Sequence, residues 1–101
     1  MSYILQVDFK IEGPFGNEMV KEFTDLAKSI NSEEGLIWKI WTEDSEAKKA
    51  GGIYLFETKE SACKYLTMHT ARLYGFGIEK VNGKIFKVNE GLTSINHGPS
   101  K

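Results

Sequence analysis

A single cysteine, Cys63, stands in the 101 residues, so neither an internal disulfide nor a multi-cysteine metal site can form. Two prolines and ten scattered glycines leave no proline-rich linker and no low-complexity tract. Neither sign of charge dominates. The net charge of −1 and the mixing of acidic with basic residues provide no field for nucleic acid or anionic lipid. No apolar run approaches membrane-spanning length, and no basic-then-apolar leader opens the chain, so no membrane partner is expected. A reducing, cytoplasmic location is the default expectation.

What is present is the composition of a soluble globular domain, 41% apolar and 27% charged. The length suits one hydrophobic core. "YILQVDFKI" (3–11) alternates strictly: Tyr3, Leu5, Val7, Phe9 and Ile11 share one face, Ile4, Gln6, Asp8 and Lys10 the other. "EGPFGN" breaks the pattern, and Asn17 with Glu18 reads as a helix start. Met19, Phe23, Leu26, Ala27 and Ile30 then recur every three or four residues, an amphipathic helix of about four turns. "NSEEG" ends it, with Gly35 suited to a left-handed turn.

"GLIWKIWTED" (35–44) predicts a second strand, and "EDSEAKKAGG" a polar hairpin loop. "GIYLFE" (52–57) is a third strand. Thr58 caps a second helix over 59–74, whose inward stripe is Ala62, Leu66, His69 and Leu73. Cys63 on that helix reads as a small buried hydrophobe. "EKVNGKIFKVNE" (79–90) supplies a fourth strand, with a bulge or kink expected at Gly83. The order βαββαβ predicts an α+β, ferredoxin-like domain: a four-stranded antiparallel sheet with both helices on one face. Right-handed crossovers set the first and third strands in the middle and the second and fourth at the edges. The domain is expected over 1–92, with a polar tail over 93–101 that contains His97 and has no assigned role.

The chain's two tryptophans, Trp38 and Trp41, lie three apart on the second strand, so they point to opposite faces. Two helices cover only one face of the sheet. The other face would then carry a large aromatic patch into water, which a second copy of the chain would cover. A homodimer is the expectation.

"GPFG", "NSEEGLIWKIWTE", "AGGIYLF" and "HTARL" together resemble the YdhR mono-oxygenase family, small members of the dimeric α/β-barrel superfamily. The resemblance runs from the first strand to "VNEGLTSIN". It implies ferredoxin-like subunits whose sheets face each other in a dimer, and cofactor-independent oxygenation of a hydroxylated aromatic or quinol. In that chemistry His69 would take a proton, Arg72 would steady the anion, and Trp38, Trp41 and Tyr54 would hold the ring.

The residues themselves leave plainer readings open. His69 could be a partly buried histidine bonded to a backbone carbonyl. Arg72 could pair with a carboxylate at the rim, and Trp38, Trp41, Tyr54 and Phe56 could be core. Asp8 could face the dimer interior as a base or as a solvated residue. No phosphate-binding glycine loop, nucleophile elbow or zinc spacing occurs, and nothing requires a bound flavin or nicotinamide. Haem degradation fits poorly: Gln6 and Asp8 on the first strand and Tyr54 and Phe56 on the third replace the expected asparagine and tryptophan, leaving only His69. A non-catalytic dimer that binds an aromatic or apolar metabolite needs the same pocket and no base.

Overall fold

Alternation in the first strand sets the sheet's two faces, and the remaining elements follow from it. The structure, a computed structural model, describes residues 2–99. In chain order the elements are β1 (Tyr3–Lys10), α1 (Gly16–Ile30), β2 (Leu36–Asp44), β3 (Lys49–Phe56), α2 (Lys59–Gly75), β4 (Val81–Lys87) and α3 (Glu90–Ile95). The sheet order is β2-β3-β1-β4, with every described pairing antiparallel. This is the expected ferredoxin-like arrangement, with β1 and β3 central.

Leu5, Val7 and Phe9 of β1 pack with Tyr54 and Phe56 of β3 beneath Met19 and Ile30 of α1 and Ala62, Tyr65 and Leu73 of α2. Both helices therefore cover one face of the sheet. Thr58 caps α2 as expected, its hydroxyl accepting from the Ser61 amide at 3.0 Å.

Several local expectations are corrected. α1 begins at Gly16 and not at an Asn17 cap. Its first amide donates to Oε1 of Glu43 on β2 at 2.8 Å, so a distant carboxylate does the capping and complements the helix dipole. The long polar loop after β2 shrinks to residues 45–48, because β2 and β3 stay paired out to Asp44 and Lys49. β4 has no bulge: Gly83 pairs regularly with Val7. A Cβ there would stand 2.6 Å from Cδ1 of Leu66, so the glycine makes room for α2. Cys63 is exposed, one position beyond the fully buried Ala62 on the helix.

The irregularity falls on β2 instead. Leu36 pairs with Phe56 and Trp38 with Leu55, so one extra residue is accommodated between them. This bulge turns Leu36 toward the core, while Trp38 stays on the open face with Ile40. Gly35, just before it, has φ +79°, and a Cβ there would strike Ser61 Oγ at 2.5 Å, so only glycine fits.

The C-terminal segment is structured through residue 99. Asn89 caps α3 by accepting from the Leu92 amide at 3.1 Å. The chain then travels from β4 at one edge to β2 at the other, where Trp38 Nε1 donates to the Pro99 carbonyl at 3.1 Å. Residues 93–99, expected as a plain polar tail, supply a partner to the open-face tryptophan.

Candidate active site

Period two carries Lys39 and Trp41 to the helix-covered side of β2, opposite Tyr54 and Gly52 of β3. There they meet a cleft of about 1200 Å³ bounded by the sheet, α1 and α2. Phe23, Lys39, Trp41, Tyr54, His69 and Leu73 form its working wall. Trp41 stacks on Phe23 of α1, with ring centroids 6.2 Å apart and planes inclined by 23°. One wall of the cleft is thus flat and aromatic.

The polar end is built by α2. Tyr65, His69 and Arg72 recur at spacings of four and three, which sets them on one helix face. Arg72 Nη2 approaches His69 Nδ1 at 3.0 Å and donates to the Tyr65 hydroxyl at 3.3 Å. Tyr65 donates onward to the Tyr54 hydroxyl at 3.4 Å. A guanidinium has no acceptor, so Nδ1 of His69 is the acceptor and the ring proton sits on Nε2. Among the described residues no acceptor engages Nε2, and His69 forms part of the cleft wall.

Charge states follow from the same packing. His69 is 4% exposed. Burial, then the charges of Arg72 and Lys39, push its pKa down to about 3, so the ring is neutral at physiological pH. Tyr54 and Tyr65 are both raised, chiefly by burial, and stay protonated.

Lys39 is the less expected group. Its ammonium nitrogen lies 3.5 Å from the Trp41 ring centroid and 4.6 Å from that of Tyr54. Such contacts favour the cation by roughly 0.5–2 kcal/mol. Burial and the nearby Arg72 charge oppose it and prevail, bringing the pKa down to about 7. No ion-pair partner of Lys39 occurs among the described residues. Gly52 leaves the space its stem occupies, since a Cβ there would lie 2.7 Å from Lys39 Cε.

Of the residues singled out in the sequence, His69, Trp41 and Tyr54 come together in the cleft. Arg72 stands behind His69 and touches the cleft through it. Trp38 is not brought there, because it lies on the opposite face of the sheet. Asp8 is on that open face too, exposed and accepting from Asn82 Nδ2 at 3.0 Å. Lys39, Tyr65 and Phe23 were missed. Each carried a signal: Lys39 shares a strand face with Trp41, Tyr65 precedes His69 by one helical turn, and Phe23 is on the apolar stripe. Among the described residues no group of three or more His, Cys, Asp or Glu side chains could hold a metal. Nor is any helix among them long and apolar enough to cross a membrane.

Similarity to other proteins agrees with this architecture. The chain is similar to a solved structure of a protein YJCS, with 25% identity, 87% of this chain and 98% of that one covered, and a TM-score of 0.61. It is similar in fold to SnoaB, a cofactor-independent oxygenase from Streptomyces nogalater, with 12% identity, coverages of 87% and 93%, and a TM-score of 0.62. No curated protein matches the chain. The family described as "Putative mono-oxygenase ydhR" matches residues 4–99, nearly the whole of it. On that match the chain belongs to the ydhR family.

Proposed function

We propose that the protein is a cofactor-independent mono-oxygenase acting on a hydroxylated aromatic or quinol-type small molecule. The observation that carries this reading is a neutral His69, its Nδ1 held by Arg72, facing a cleft walled by Trp41 and Phe23. The aromatic wall suits a planar ring. The Nε2–H suits the oxygen of that ring as its hydroxyl or enol proton departs. His69 thus acts as a hydrogen-bond donor to the substrate oxygen, since an imidazole with its pKa near 3 is a poor proton acceptor at neutral pH.

The substrate anion passes one electron to O₂, the two radicals combine into a peroxide anion at carbon, and the proton first removed returns to it to give a hydroperoxide. Loss of water then leaves a new carbonyl. For a ring CH₂ of the anthrone type, one oxygen atom enters the product and the other leaves as water. The membership in a mono-oxygenase family supports this reading. With an anthrone or hydroquinone, His69→Ala is expected to consume oxygen at least roughly 100-fold more slowly than the wild type, the order of one lost preorganised donor to a developing anion. Equal rates would remove His69 from the chemistry.

A binding protein without turnover would use the same cleft, and Trp41 reports it. Quenching of tryptophan fluorescence by aromatic ligands with no oxygen uptake would favour that alternative. Haem degradation gains no support. The helix-facing side of β1 carries Leu5, Val7 and Phe9, and Gln6 and Asp8 lie on the strand's opposite face, Asp8 at an exposed edge of the cleft.

We also propose that the chain is a homodimer through the open face of the sheet. Ile40 and Phe86 are each 50% exposed there, on the face that also carries Trp38 and Ile53. Covering such a patch contributes about 25 cal/mol per Å² of apolar surface removed from water. Sedimentation at micromolar concentration is expected to give twice the chain mass, and a monomer there would contradict the dimer.

A further inference from the structure

We propose that Lys39 is a catalytic amine of the cleft, which accepts the proton of a phenolic or enolic hydroxyl whose ring lies against Trp41. This assignment rests on the reading of the cleft as a site for a hydroxylated aromatic. It adds the group that takes the proton, a role His69 cannot fill while Arg72 occupies its Nδ1.

The geometry singles Lys39 out. It is the amine that the period of β2 delivers to the covered side of the sheet, between the faces of Trp41 and Tyr54. Gly52 keeps clear the volume its stem needs, because any side chain there would begin 2.7 Å from Lys39 Cε. The charged and titratable groups that face it are Tyr54 from β3 and Tyr65, His69 and Arg72 from α2. Two of these are phenols, one is a neutral imidazole and one a cation, so none neutralises an ammonium. The acidic residues that line the cleft, Asp8, Glu12, Glu22 and Glu79, are all exposed, and none is ion-paired with Lys39. An amine so placed is partly neutral near pH 7, which agrees with its depressed pKa.

The step balances without an oxidant. A hydroxyl O–H breaks, an N–H bond forms on Lys39 Nζ, and the products are an aromatic oxyanion and an ammonium. No electron moves. The ammonium then stands over the ring plane with Trp41, and the oxyanion accepts from His69 Nε2. Taking the proton creates the cation that the anion requires, while the Arg72 guanidinium remains behind His69. The inner end of the cleft therefore selects a ring bearing an acidic hydroxyl over the same ring without one.

The test is anaerobic and uses 2-naphthol with protein whose lysines carry ¹³C at Cε. It is run at about pH 8, above the Lys39 pKa and well below the ordinary phenolic value of ~10. Bound naphthol should show the naphtholate absorbance band, because the attraction between the ammonium and the adjacent oxyanion, with the His69 donor, offsets the gap between the phenol and the free amine. In parallel the Lys39 Cε resonance should move from the amine to the ammonium position. Lys39→Met, which keeps the stem's shape, should lower the bound naphtholate fraction roughly tenfold or more. Lys39→Arg, which keeps a cation but offers no acceptor, should form naphtholate only with release of a proton to the buffer. Naphthol bound in its neutral form, a Lys39 resonance that does not move, or no binding at all would overturn the proposal.

Oxygen uptake separates this from the oxygenase reading. Ionisation of naphthol without oxygen uptake by anthrones would keep the role of Lys39 and remove the oxygenase. Unchanged uptake in Lys39→Met would do the reverse.

Discussion

An Arg72→Met variant is expected to consume oxygen with an anthrone roughly 100-fold more slowly than the wild type, the order seen when a preorganised oxyanion donor is lost or misdirected. Arg72 does not face the substrate. Its guanidinium reaches His69 Nδ1 at 3.0 Å and so obliges the ring to carry its proton on Nε2, toward the cleft. Without it neither the ring's orientation nor its Nε2 proton is fixed, so the donor toward the cleft is no longer preorganised.

A purely structural role would leave that tautomer unchanged, so ¹⁵N spectra of the His69 ring distinguish the two. The wild type should show a single Nε2–H tautomer, and Arg72→Met a mixture. The His69 pKa should also rise toward the ordinary value, stopping short of it because burial is the larger cause of its depression. Arg72→Lys should restore little. An ammonium lacks the planar fork that serves His69 and Tyr65 together. Tyr65 and Tyr54 would lose the end of their hydrogen-bond chain in either variant.

Acid should destabilise this protein through the same histidine. The folded-state pKa of His69 lies near 3, against 6.5 unfolded, so between those values the unfolded chain binds the extra proton. The stability contributed by a neutral, buried His69 is thus fully present above about pH 6.5 and is lost as pH falls toward 3. The slope approaches 1.4 kcal/mol per pH unit within that window. From pH 7 to pH 5 the wild type should lose about 2 kcal/mol more than His69→Gln, read from urea midpoints. The glutamine can still accept from Arg72 but does not titrate. Parallel pH profiles for the two proteins would show that His69 is not buried as a neutral ring. Lys39 adds stability of the same sign at higher pH, since its folded pKa near 7 lies below the 10.5 of a free lysine.

The topology was legible because β1 alternates from Leu5 to Lys10 and the apolar stripes of α1 and α2 keep helical spacing. Of the inward set, Ala62, His69 and Leu73 are buried where that spacing puts them, and Leu66 is partly buried against the core. The departures share one cause, contact between residues far apart in sequence. Glu43 caps α1 from another strand, and Leu66 fills the space that Gly83 leaves, so neither is visible to a local reading. The bulge at Leu36 and Trp38 depends on how an edge strand meets its neighbour.

Trp38 and Trp41 do lie on opposite faces, as period two requires. The sequence did not say which faced the helices, and the register answers it: Trp41 faces the cleft and Trp38 the open side. Lys39 was hidden by convention, since a charged residue in an edge strand is normally taken as solvated. Its neighbours two positions away, Ile37 and Trp41, are apolar, but Trp38 and Ile40 make the other side apolar too, so only the register shows which face the helices cover.

The most direct test of the central claim is turnover of an anthrone by metal-free wild-type protein under ¹⁸O₂. One labelled oxygen atom in the new carbonyl per molecule of O₂ consumed, at a rate proportional to protein and reduced in Arg72→Met, is the predicted result. An unlabelled carbonyl, or ligand that quenches Trp41 without any oxygen uptake, would contradict it.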